Sequence, residues 1–220
     1  MVKIKKSPLP DGVYIKSEKD YQGGIVFQLL LDDCYHKCYI CEHKPIPPEV
    51  EHILTHKGDK NLQYDWNNLF YSCVYCNRVK NQPKFYGGII DPTQTDPEDY
   101  IEIHMEYDEY LREKIVIVNK VKDDDLIDTT VELLDLVYNN FSTDNKREAS
   151  GNLRNAISKD ITMFMIYIEK YLKNPDDTIA YEVIKEEISR KSEFAGFKRQ
   201  IIRDKINMNN ELFEVFRQAL

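Results

Sequence analysis

Two Cys-x-x-Cys pairs, Cys38-Tyr-Ile-Cys41 and Cys73-Val-Tyr-Cys76, constrain this chain more than anything else in it. Four thiolates at this doubled spacing can enclose a tetrahedral zinc at about 2.3 Å Zn–S, and such a metal forces the chain to bring residue 73 back to residue 41. Four sulfurs fill the shell, so no position stays open for a water and the metal acts as a staple. The competing readings are four buried free thiols or a redox pair. A fifth cysteine, Cys34, stands alone. An odd count fits disulfides poorly, and metal-binding cysteines suit a reducing compartment, so the chain is expected in the cytoplasm.

Composition narrows the class further. At 220 residues the chain can bury a core without disulfide help. No apolar run approaches the roughly 20 residues of a membrane span, and no apolar segment follows the N-terminal lysines as in a secretory signal. The net charge of −8 argues against a free-standing nucleic-acid binder, because phosphate neutralisation needs clustered Lys and Arg. The charge is uneven: residues 1–90 hold 12 Lys+Arg against 10 Asp+Glu, and residues 91–220 hold 18 against 28. The acidic excess lies in the second half.

Apolar spacing predicts a helix over residues 20–33 that delivers the chain into the first cysteine pair. Prolines and Gly58 forbid a long helix between Pro45 and Leu69, where Val50, His52 and Leu54 alternate as in a strand, and Pro45–Pro48 reads as a stiffened connector. A short helix is expected from Cys73 to about Asn81, ended by Pro83, so this region permits strand, strand, helix. Residues 86–100 are rich in Gly, Pro and Asp and mark a connector. Beyond it, Ile115–Val118 reads as a strand and Asp125–Tyr138 as a helix with Leu126, Val131, Leu134 and Val137 on its apolar stripe. A long helix is expected from near Asn145 to Asn174-Pro175, then helices over Thr178–Ser192 and Glu211–Ala219. The expected fold is α+β: a small zinc-stapled core in residues 1–90, then a mainly helical region over 91–220 that packs or binds a partner.

Between and just after the cysteine pairs stand Glu51-His52, then Trp66-Asn67-Asn68-Leu69, then Asn77 directly after Cys76, with Arg78 and Lys80 following. In that order these residues resemble the HNH (ββα-metal) endonucleases. The zinc-stapled members show C-x-x-C, Asp/Glu-His, a Trp-x-Asn-Leu-like segment and C-x-x-C-Asn-x-x-Lys. The resemblance implies a nuclease in which His52 is the general base and Glu51 with Asn77 holds magnesium or manganese. It further implies that Asn68 holds the loop bearing His52, that Lys80 and Arg78 contact phosphate, and that Cys38, Cys41, Cys73 and Cys76 carry structural zinc. Thr55 departs from the pattern, since relatives often have proline three residues after the base histidine. His56 is either a contact to phosphate or to a metal-bound water, or an ordinary loop histidine. His36 and His43 flank the first pair and are expected to be exposed.

Residues 1–140 are similar to a narrower group, the HNH subunits of the bacterial Septu anti-phage system and of certain retrons. That resemblance rests on Lys3-Ile4-x-Lys6-x-Pro8-x-Pro10, Asp65–Leu69, Ile90-Asp91-Pro92-Thr93, Asp96-Pro97-Glu98-Asp99 and the Thr130–Leu136 stretch. It implies a defence nuclease acting on DNA or RNA and governed by an ABC-type ATPase partner, and the acidic second half suits docking on a protein better than on DNA. Two rival classes are a zinc-ribbon binding module without catalysis and a stand-alone HNH endonuclease with its own basic surface.

Overall fold

In the first part of the chain, Ser17 and Asp20 close a capping box that opens helix α1 (Glu18–Tyr21), and helix α2 (Gly24–Asp33) follows. The helix expected over residues 20–33 is thus divided. Gly24 sits at φ +62°, a region open to glycine and costly for other residues, and the break falls there. Val26 and Leu30 of α2 are buried while Ile25 faces outward. The computed structural model describes residues 1–44, 48–110 and 112–220. The expected Pro45–Pro48 connector therefore lies, apart from Pro48, outside the described residues.

Strand β1 (Pro48–His52) pairs antiparallel with β2 (Leu69–Cys73), in a register that sets Val50 opposite Tyr71 and His52 opposite Leu69. Helix α3 (Lys60–Gln63), capped by Asp59, and a 3₁₀ turn at Trp66–Asn68, capped by Asp65, connect them. Helix α4 (Val74–Lys80) starts where β2 ends and packs against both strands. The local order is strand, strand, helix. The preceding N-terminal segment lies along this unit with Val2 and Ile4 buried, and the Ile4 amide donates to the Pro92 carbonyl at 2.9 Å. Ser7 joins it to α2 through Asp33, and the Trp66 indole donates to the Ser7 carbonyl at 2.9 Å.

Two further strands, β3 (Ile101–Tyr107) and β4 (Glu113–Asn119), form a second small sheet, so the fold is mixed α and β. Helices α5 (Asp125–Tyr138), α6 (Asp144–Lys173), α7 (Thr178–Glu187) and α8 (Ala195–Asn207) follow, with a 3₁₀ segment at Glu211–Ala219. On α5 the buried residues are Ile127, Thr130, Leu133, Leu134, Val137 and Tyr138, whereas Leu126, expected on the apolar stripe, is exposed. The chain divides into two compact units, Met1–Ile101 with Asn119–Val137, and Glu102–Val118 with Tyr138–Leu220. In the first, the Tyr75 hydroxyl reaches the Val137 carbonyl at 3.0 Å and the Ile90 amide donates to the Thr130 hydroxyl at 2.9 Å, which seats α5.

The second unit has its own core, in which Phe164, Ile168 and Tyr171 of α6 meet Ala180 and Ile184 of α7, Ile202 and Ile206 of α8, and Phe213 and Phe216. Lys198 and Arg199 are buried beside it, each with polar partners. The Lys198 ammonium lies 2.8 Å from Asp160 and also contacts Glu187, and Arg199 donates to the carbonyls of Ile188 and Ala219.

Candidate metal centre and adjoining cavity

The four paired cysteines meet. Their sulfurs lie within 4.8 Å of one another, with Cys38, Cys41 and Cys76 buried and Cys73 partly so. Cys38 and Cys41 sit on the turn after α2, held by the Cys38 amide on the His43 carbonyl at 2.8 Å and the Tyr39 amide on the Tyr71 carbonyl at 3.0 Å. Cys73 ends β2 and caps α4, its sulfur accepting from the Cys76 amide at 3.3 Å. Packed thiols cannot all ionise unaided. Hydrogen bonds from Cys38 and its neighbours hold Cys73 far below the usual thiol range. The bond with Cys38 pushes Cys41 up, and burial pushes Cys76 up. A dipositive ion that takes thiolate ligands removes this conflict, so the donor set fits structural zinc. Such a zinc would tie the turn after α2 to the end of β2 and the start of α4.

Cys34 stands outside this group. Burial pushes its thiol up to about 12, which makes it inert as a nucleophile at neutral pH. His36 is exposed and pairs with Asp32, and His43 is half-buried rather than exposed. Neither ring joins the metal cluster, which is made of cysteines alone.

At the other end of β1, Glu51 and His52 occupy contrasting surroundings. Glu51 is 5% exposed, with one carboxylate oxygen 2.6 Å from the Lys80 ammonium and the other accepting from the Tyr39 hydroxyl. Burial outweighs these partners and pushes its carboxyl above the usual range. Lys80, expected to face a phosphate, is 1% exposed and also donates to the His52 carbonyl at 2.8 Å. The position three after Asn77 returns it to the hairpin face of α4, so its charge is spent inside the protein. Arg78 faces solvent.

His52 is half-buried at the edge of β1, with its Nε2 3.0 Å from the Gln63 carbonyl and the Tyr21 ring edge-on at 5.7 Å. A carbonyl only accepts, so Nε2 carries the hydrogen, and neutral His52 keeps its lone pair on Nδ1. Burial lowers the imidazole pKa below its ordinary value. Asn68 is buried and its amide is fully used. Its oxygen accepts from the Leu54 amide at 2.8 Å, and its nitrogen donates to the carbonyls of Leu54 at 2.9 Å and Leu62 at 2.8 Å. The chain just after His52 is fixed on its other side as well. Gly88, at φ +93°, lies so close to Leu54 that a side-chain carbon there would stand 2.6 Å from it. Thr55 uses its amide on the Tyr86 carbonyl.

A polar cavity of about 160 Å³ opens here, lined by Glu51, His52, Thr55, His56, Asn77 and Lys80 among others. Asn77 also borders a second cavity of about 440 Å³ with Glu18, Tyr21 and Glu49, and its amide nitrogen donates to Glu49 at 2.8 Å. Glu49 was not singled out from sequence. Strand alternation places it on the same face as Glu51, which is the signal that could have found it. The chain matches no family model, no curated protein and no solved structure.

The arrangement bears on the divalent ion implied by the family resemblance. Such an ion needs open oxygen ligands. Both Glu51 oxygens are engaged, one of them by an ammonium, and the amide nitrogen of Asn77 is turned to Glu49. As arranged, the Glu51 carboxylate is committed to Lys80 and Tyr39, whereas the bond to Glu49 uses the Asn77 nitrogen and not the amide oxygen that would face a metal.

Proposed function

We propose that the first compact unit is an HNH-type nuclease that hydrolyses phosphodiester bonds in DNA or RNA, with His52 as its general base. The observation that carries this reading is the bond from His52 Nε2 to the Gln63 carbonyl, beside a polar cavity shared with Asn77. It leaves a lone pair on Nδ1, as proton abstraction from water requires. As the water oxygen attacks phosphorus, its proton passes to Nδ1 and the bond to the 3′ oxygen breaks, that oxygen keeping the electron pair and taking a proton from solvent. The imidazolium so formed keeps its Nε2–H on the Gln63 carbonyl, which favours the charged ring. Asn68 positions the following residues through Leu54 and Leu62, and the hairpin with α4 gives the order strand, strand, helix expected of this family.

The proposal extends to an anti-phage effector governed by an ABC-type ATPase. Asp125, Asp128, Glu132 and Asp135 share one exposed face of α5, which suits a cationic protein surface and opposes DNA. A second reading, a zinc-ribbon module without catalysis, is favoured by the buried Glu51–Lys80 pair, since a purely structural role would use these side chains in the same way.

The zinc-loaded chain, alone and co-purified with the product of the neighbouring gene, should be offered single- and double-stranded DNA and RNA with and without magnesium or manganese. Cleavage that leaves 5′-phosphate ends is expected. No cleavage under any combination would establish the zinc-ribbon reading.

A further inference from the structure

A second histidine faces the same cavity, and its local bonding is the complement of that at His52. His56 stands four residues on, with its ring centroid 4.9 Å from that of His52, and both rings line the space of about 160 Å³. The chain reverses directly after it. Lys57 and Gly58 both take positive φ, +46° and +87°, and the Asp59 amide donates back to the His56 carbonyl at 2.7 Å. Such a turn is costly at Lys57, which has a side chain, and it brings the Gly58 amide onto His56 Nδ1 at 3.1 Å. An amide N–H only donates, so Nδ1 is the acceptor and the hydrogen of neutral His56 sits on Nε2. One backbone group fixes each ring: a carbonyl makes His52 a base through Nδ1, and an amide makes His56 a donor through Nε2.

We propose that His56 is a phosphate-binding residue, its Nε2–H donating to a non-bridging oxygen of the phosphodiester that His52 attacks through water. This rests on the nuclease reading above. The pairing has a physical reason. Lys80, the cation nearest His52 in the sequence motif, gives two of its three N–H donors to Glu51 and the His52 carbonyl and is 1% exposed. A ring N–H whose other nitrogen is held by a backbone amide can be aimed at phosphate beside the base without giving up its proton. No proton leaves His56 in this role, and no bond to it forms or breaks.

The test separates donation from support of the turn. Asparagine at this position keeps an acceptor where Nδ1 stands and can cap the turn, but it is too short to reach where Nε2 stands. Glutamine reaches that place with an amide N–H. In the zinc-loaded chain, long-range ¹H–¹⁵N correlation should find hydrogen on Nε2 of both histidines, and titration with dimethyl phosphate should shift the His56 Nε2 resonance. His56→Ala and His56→Asn should each lose about 10- to 100-fold in cleavage, as expected for one hydrogen bond to a charged group, and His56→Gln should recover most of it. Zinc content and Trp66 fluorescence would confirm that each variant folds. Full activity in His56→Asn with none in His56→Gln, or an Nδ1-protonated His56, would overturn the proposal. If the parent cleaves nothing while dimethyl phosphate still shifts His56, the nuclease reading falls and the phosphate donor stands. If cleavage depends on His52 while His56 neither shifts nor matters, the donor falls alone.

Discussion

Replacing Lys80 by Met tests the buried pair that closes one side of the site. The Lys80 ammonium is 1% exposed and lies 2.6 Å from Glu51, which is 5% exposed. Without it the carboxylate would keep only the Tyr39 hydroxyl and the His52 carbonyl would lose its donor. Removing one partner of a buried ion pair costs about 3–5 kcal/mol, because a charge is left without compensation. With a urea slope of about 2 kcal/mol/M this moves the midpoint down by about 2 M. Glu51 is already pushed toward its neutral form by burial, so the pair is not a large net source of stability. Lys80→Met with Glu51→Gln should therefore recover to within about 1–2 kcal/mol of the parent, since a neutral amide can still accept from Tyr39. Trp66, 9% exposed and the sole tryptophan, reports unfolding of this unit in the zinc-loaded chain. A Lys80→Met protein within about 1 kcal/mol of the parent, or a double variant no better than the single, would refute the reasoning.

Metal analysis should find one zinc per chain, and Cys73→Ser should lose it and unfold the first unit, whereas Cys34→Ser should keep both. Asn68→Ala strands the Leu54 and Leu62 groups it bonds, so urea unfolding should show a loss of about 1–3 kcal/mol, with cleavage reduced because the chain after His52 is released. Burial lowers the His52 pKa from the ordinary 6.5, so the neutral, proton-accepting form persists into acid beyond that value. The acidic limb of kcat/KM against pH should accordingly fall off below 6.5, and a limb at or above it would contradict the burial argument.

The parts of the fold that sequence made legible are those where local chemistry and tertiary need agree. The doubled cysteine spacing predicted that four sulfurs would meet, and they do. The helices α5 and α6 follow a single apolar stripe, so their ends at Tyr138 and Lys173 fall close to the expected ones. Helix α8 was missed because Lys198, Arg199 and Gln200 are buried in it, and burial of paired cations erases the polar-apolar period on which a sequence reading depends. Strand β3 was missed as well. Its alternation of Ile101 and Ile103 with Glu102 and His104 is short and lies next to a Pro- and Asp-rich connector. Around the candidate site, motif order drew attention to His52, Asn68, Asn77 and Lys80. It could not reveal that a backbone carbonyl at Gln63 orients His52, because such a contact leaves no mark on residue type. Nor could it show where Lys80 spends its charge, which depends on the packing of α4 against the hairpin.

The most direct test of the account is single-turnover cleavage by His52→Ala against the parent, both zinc-loaded and in the same reconstituted complex. The predicted result is a loss of about 10²-fold or more with zinc content unchanged and stability lowered by only the roughly 1 kcal/mol that the bond to Gln63 contributes, as removal of a general base requires. A His52→Ala protein that cuts as fast as the parent would contradict it.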